Sequence, residues 1–279
     1  MRCGMKRIFV FEWKRMIRSK TLLFSAVAAA LIVIADVFAW FRLYQQDVDV
    51  YTSVFHKWLG TQPAIGAGSY LHIVLPLLTA FAYSWSVSYD RSTGYIAQTV
   101  TRIGRRRYFT AKYLVSFISG GMIFVGALVL DFMLLGTFSP AFWPIPDDLV
   151  SPANPFTFGS VAFYQSPYLF VLMWCGVAFL WGGAMASMGT ATGMLIKNHI
   201  VSSVVPFLVF TAQQLLAVFV MQKYRIRING NGIALVWTEQ LCAAPLAANL
   251  PVTVFSSIGF IVVVSTLIYV LRGRKYECL

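Results

Sequence analysis

Residues 21–41 read TLLFSAVAAALIVIADVFAWF, with Asp36 the one ionisable side chain in the stretch. About 20 consecutive apolar residues are what a helix needs to cross the hydrocarbon core of a bilayer. Comparable runs follow at 69–89, 113–137, 167–193, 200–221 and 252–271. The expected fold is an all-α integral membrane protein with six transmembrane helices in a single transmembrane domain over 1–279. Composition agrees. Of 279 residues 58% are hydrophobic and 11% charged, with a mean hydropathy of +0.71, whereas soluble domains run near half apolar and a quarter charged. A soluble globular protein is excluded.

An even number of crossings puts both termini on one side, and the cations indicate which side. Seven Lys or Arg precede the first run, six lie between the second and third, Lys197 lies between the fourth and fifth, and three follow the sixth. The opposite loops hold Arg42, Lys57, Lys223, Arg225 and Arg227. Seventeen against five predicts cytoplasmic termini, in a cell membrane that fits a bacterial inner membrane. Those seventeen, less Glu12, Asp90 and Glu277, leave +14 inside, while five acids cancel the outer five. The net charge of +12 therefore needs no nucleic acid to explain it. The N-terminus resembles a signal peptide in being basic and then apolar, but its apolar segment is longer than an ordinary signal core and reads as an uncleaved span. Cys3, Cys175, Cys242 and Cys278 form no CxxC pair, so neither a disulfide framework nor a zinc site is expected.

Residues 5–19 form an expected interfacial amphipathic helix. At 100° per residue Phe9, Val10, Trp13, Met16 and Ile17 share a stripe, with Arg7, Lys14, Arg15 and Arg18 opposite. Phe9 and Trp13 would sit at headgroup level while Arg15 and Arg18 attract anionic lipid. On the other side, residues 139–165 hold five prolines and read as irregular. Residues 222–251 turn from polar to apolar around Glu239 and Pro245, as a re-entrant or interfacial hairpin before the last span would.

No catalytic residues, bound cofactor or metal set are predicted: G-x-x-x-x-G-K-[ST], H-E-x-x-H and G-x-S-x-G are all missing. The chain is not expected to be an enzyme or to hydrolyse ATP by itself. Asp36, His72 and Asp131 are the ionisable groups within the apolar runs and are candidate pathway residues. The plainer reading gives them interfacial or hydrogen-bonding roles. Small residues at four-residue spacing, as in Gly182/Ala186 and Gly189/Gly193, allow close helix approach either within the chain or between subunits.

Segment 90–112 carries six cations in 23 residues, more than orientation alone requires. Gly94 can bend the chain, Tyr95, Ile96 and Val100 offer an apolar contact face, and the arginines offer donors for a partner's carboxylates. Asp90, Gly94 four later, Arg106 twelve beyond and Lys112 six beyond that have the spacing of a known cytosolic coupling segment. In this the chain resembles the ABC-2 type transporter permeases. The resemblance extends to Phe11-Glu12-x-Lys14-Arg15 in the N-terminal helix and to the six spans, and departs at Ile103, where the family usually has Pro, and in the extra Arg105 and Arg107.

The resemblance implies the membrane subunit of an ATP-driven exporter, paired with a second permease copy or a related permease. A separate ABC ATPase, carrying ATP and Mg, would dock at Asp90, Gly94, Arg102, Arg106 and Lys112. The aromatic outer loops and sparsely charged spans fit an amphipathic or hydrophobic substrate such as a peptide, lipid-linked molecule or drug. The alternative is an ion- or proton-coupled secondary transporter using Asp36, His72 and Asp131.

Overall fold

The computed structural model describes residues 3–46, 53–60, 68–144, 159–224 and 251–274. Among the described residues there are helices and no strand: α1 (Cys3–Ile17), α2 (Lys20–Gln46), α3 (Val54–Lys57), α4 (Gly68–Tyr83), α5 (Trp85–Ser92), α6 (Tyr95–Ile103), α7 (Arg105–Leu135), α8 (Ser160–Gln165), α9 (Pro167–Gly193), α10 (His199–Tyr224) and α11 (Pro251–Arg274). Each of the six apolar runs overlaps one of the longer helices. Four stretches, Lys20–Arg42, Arg105–Leu135, Pro167–Gly193 and Val254–Gly273, are long and apolar enough to cross a bilayer, which marks a membrane protein. Within α4 and α10, Ile73–Tyr83 and His199–Gln213 are apolar stretches of described side chains. Among the described residues, four of the six expected crossings meet the requirement on length and composition.

Two expected boundaries move. The run at 69–89 is divided at Ser84, whose hydroxyl and amide both donate to the Ala80 carbonyl. Such back-bonding bends a helix, and Pro76 within α4 has already removed one rung of its ladder. The run expected from 113 starts eight residues earlier, at Arg105. Gly104, at φ 92, breaks the chain just before it, and nothing from Arg105 to Lys112 disfavours a helix. Charge marks where an apolar stretch ends, not where a helix does.

The small-residue stripe of α9 is used inside the chain. A Cβ on Gly120 or on Gly182 would collide with the other glycine's backbone, so α7 and α9 meet with nothing between them. Phe117 and Phe179 flank this crossing edge to face, each over the other helix's glycine. Further along α9, Gly189 and Gly193 give room to Ser84 and Ser88.

At the end of the bundle near Leu135, segment 53–60 is buried along its whole length, although the sequence marks it as no more than a connector. Trp58 Nε1 donates to the Leu128 carbonyl at 2.9 Å and the Leu59 amide donates to Asp131 Oδ2 at 2.9 Å. Phe55 and Trp58 join Phe163, Phe170 and Trp174 in the main apolar core. Of the stretch 139–165, expected to be irregular, residues 160–165 are helical as α8, with Phe163 buried. Residues 145–158, and the expected hairpin over 225–250, lie outside the described residues.

Candidate functional site

At the opposite, basic end, α1 lies against α7 and the α4–α5 junction. Ile8, Glu12 and Met16, spaced four apart on one face, are buried. Glu12 and Asp90 of α5 are each 1% exposed and Lys112 of α7 is fully enclosed. Lys112 Nζ lies 2.6 Å from Asp90 Oδ2 and 3.2 Å from Glu12 Oε2. Arg15, one turn on from Glu12, forks onto Asp90, donating to Oδ2 at 3.0 Å and to Oδ1 at 2.7 Å. Tyr83 of α4 donates to Glu12 at 2.6 Å, and Tyr108, one turn before Lys112, donates to Asp90. Both phenol rings also face the ammonium, with centroids 5.5 and 5.7 Å from Nζ.

Two carboxylates and two cations make the group neutral, and the phenols fill remaining lone pairs. That is the condition under which burial of ions is tolerated. Burial works to raise the Asp90 pKa, but the Lys112 charge and the Arg15 and Tyr108 hydrogen bonds outweigh it and hold the carboxyl below its ordinary range. Burial opposes the charge on Arg15 too, and the bond to Asp90 overcomes it, raising the guanidinium pKa. Asp90 and Arg15 are therefore a fixed ion pair at neutral pH.

Around this network the chain folds in a zigzag. Gly94, at φ 72, turns α5 into α6, and Gly104 turns α6 into α7. Positive φ strains any residue with a Cβ, so both corners depend on glycine. Ile96 and Val100 of α6 are buried against Val87, Tyr108, Phe109 and Tyr269. The apolar face expected to meet a partner is thus occupied by the chain itself. The outer side of α6 exposes Gln98, Thr101 and Arg102, followed by Arg106 and Arg107 at the start of α7. A cleft of about 380 Å³ opens where α1, α5 and α6 meet, with Phe11, Tyr89, Thr93 and Gln98 on its walls. Arg91 ties this end to α9 through the Met194 carbonyl at 2.7 Å.

The structure therefore joins Asp90, Lys112 and Arg15 and buries the first two, with Asp90 and Arg15 at the base of the cleft. Segment 90–112 is not a loop: it comprises the end of α5, all of α6 and the first two turns of α7. Gly94, Arg102, Arg106 and Arg18 are exposed. Phe9 and Trp13 are half-buried and stacked, with centroids 6.1 Å apart. Met16 of the expected stripe is buried, while Val10 and Ile17 face outward. Asp36 and Asp131 are both buried, and the charge of Asp36 is felt at Asp131. His72 lies in α4, its side chain outside the described residues.

Glu12, Tyr83 and Tyr108 are members of the network that the sequence pattern does not single out. A hydrophobic stripe counts a carboxylate as solvent-facing, and Glu12 is buried only because Lys112 and Tyr83 meet it. The available signal is that Glu12 is the sole acid before Asp36, set among seven cations. Comparison with protein-family models, curated proteins and solved structures finds no significant match to this chain.

Proposed function

We propose that the chain is the membrane permease subunit of an ATP-driven ABC-2 type exporter, with six crossings, both termini and the basic end in the cytoplasm of a bacterial cell. The supporting observation is the Glu12–Arg15–Asp90–Lys112 network. It fastens the interfacial helix α1, the end of α5 and the start of α7 into one body with α6. A push on the exposed side of α6 or on α1 is then carried into α7, a 31-residue helix that continues to the far end. Arg102, Arg106 and the cleft between α1, α5 and α6 supply the docking surface, while Asp90 and Lys112 keep it stiff.

The partner is an ABC ATPase that carries ATP and Mg, and a second permease copy or a related permease completes the pathway. ATP binding can shift the permease only by the difference in contact it makes with the two states. The substrate class is amphipathic or hydrophobic: a peptide, lipid-linked molecule or drug. The test is purification with the genomic neighbours, followed by reconstitution. The expected result is co-purification of a nucleotide-binding subunit and at least a tenfold loss of ATP-driven transport in Arg102→Glu/Arg106→Glu, with the thermal melt unchanged. Absence of such a subunit, or full transport by the variant, overturns the reading.

One observation favours the second reading, a proton-coupled carrier using Asp36, His72 and Asp131. Asp36 and Asp131 are both buried with the charge of one felt at the other, and Asp131 Oδ1 has no hydrogen-bond partner among the described residues. That reading requires proton-driven uptake by liposomes containing this chain alone, and loss of that uptake in Asp131→Asn.

A further inference from the structure

Between the first turns of α7 and the last turns of α11 lies a groove of about 680 Å³ that opens on the outside of the bundle. Its walls include Arg105, Arg106, Phe109, Thr110, Tyr113 and Val270. Two hydrogen bonds set its floor: Tyr269 donates to the Phe109 carbonyl at 3.1 Å, and the Tyr113 and Thr266 hydroxyls pair at 2.8 Å. Gly273 lies at the mouth, where an added Cβ would reach the Phe109 ring at an ordinary contact distance of 3.6 Å.

The chemistry of the groove is graded along its length. Arg105 and Arg106 stand at the start of α7, and Tyr113 lies eight residues further, about 12 Å deeper at 1.5 Å per residue. Cations and a threonine hydroxyl line one end, aromatic and aliphatic side chains the other. Both helices belong to the set long and apolar enough to cross a bilayer, and their basic ends form the groove. The medium it opens into there is the headgroup layer, grading into acyl chains. A guanidinium pair matches phosphate oxygens, and the apolar wall matches a hydrocarbon chain.

We propose that this groove binds an anionic glycerophospholipid. Its phosphodiester lies against Arg105 and Arg106, the glycerol esters at Thr110, and an acyl chain runs along Phe109, Tyr113 and Val270. A choline headgroup would bring its ammonium against the two arginines, and a soluble phosphate would leave the apolar wall uncovered. Basic recesses between membrane helices are suited to such lipids. The proposal needs the membrane and not the ATPase; Arg106 also belongs to the docking surface, so lipid retention measured on the chain without the ATPase separates the two readings.

The test is native mass spectrometry of the full chain released from nanodiscs, titrated with phosphatidylglycerol, phosphatidylcholine and glycerol 3-phosphate. Phosphatidylglycerol should be retained over phosphatidylcholine. Arg105→Gln/Arg106→Gln should weaken it about thirtyfold, or roughly 2 kcal/mol at 1.4 kcal/mol per tenfold. Gly273→Trp, which fills the mouth without changing charge, should also release it, whereas Lys14→Gln/Arg18→Gln should not. Equal retention of both lipids, or equal loss in the α1 control, overturns the proposal by reducing the site to a general positive belt. Competition by glycerol 3-phosphate at the lipid's own concentration overturns it as well. Should Gly273→Trp fail to fold, the arginine pair carries the test alone.

Discussion

At one end of α7, Lys112 lies among two carboxylates, a guanidinium and two phenols. At the other, Asp131 accepts the Leu59 amide and has Asp36 as its charged neighbour. About 28 Å of helix separates them at 1.5 Å per residue, close to the thickness of a hydrocarbon core. The basic end balances its charges and shares Asp90 Oδ2 and Glu12 Oε2 among several donors. The far end covers Asp131 with a buried segment of chain, 53–60, whose Leu59 amide donates to the carboxylate while the Trp58 indole donates to the Leu128 carbonyl. One arrangement resists the loss of any member, because each loss leaves a buried charge. The other is local and can be changed piecemeal.

The strongest way to break that comparison is Lys112→Met. It leaves Glu12 and Asp90 buried with Arg15 as their only cation. A cost of about 3–5 kcal/mol is expected, read as a lower thermal melt in detergent. Glu12→Gln/Lys112→Met should recover at least half of it, because the buried charge is balanced again. At the far end Asp131→Leu should cost about 1–3 kcal/mol by orphaning the Leu59 amide, and Asp131→Asn well under that, since an acceptor remains. If Asp131→Leu matches Lys112→Met, the two ends do not differ as described.

Acid should separate the ends at smaller cost. His56, beside Lys57 in the buried segment, has its pKa lowered first by burial and then by the lysine charge. A lowered histidine contributes stability in full above its ordinary value near 6.5, and that contribution is lost as pH falls below it. Asp90, also lowered, keeps its contribution until pH falls below the ordinary carboxylate range near 4. The protection of 53–60 against hydrogen exchange, relative to the intrinsic rate at each pH, should therefore fall between pH 7 and 5 while peptides of α1 stay protected. Simultaneous release of both would show that the ends are one cooperative unit.

The helices at the long apolar runs were legible because hydrocarbon-length hydrophobicity is a local property, and 167–193 coincides with α9 residue for residue. The spacing from Asp90 to Lys112 located residues that do meet, together with Arg15. What it could not convey is their direction. A lysine in a basic segment reads as solvent-facing until Glu12 and Asp90, 100 and 22 residues earlier, are placed against it. The far-end segment escaped notice for a related reason. Phe55 and Trp58 have no period to mark them, and their burial comes from the Leu128 carbonyl and the Asp131 carboxylate on a helix some 70 residues later.

The shared ammonium also orders the making of the protein. Glu12 and Asp90 leave the ribosome before Lys112. Until α7 exists the two carboxylates have Arg15 as their only common cation and must stay wet. Helix α1, synthesised before α7, is therefore held at the water boundary until the helix beginning at Arg105 arrives. Its seating is a late step of biogenesis, and a chain truncated before Lys112 should leave Glu12 open to a water-soluble carboxylate reagent.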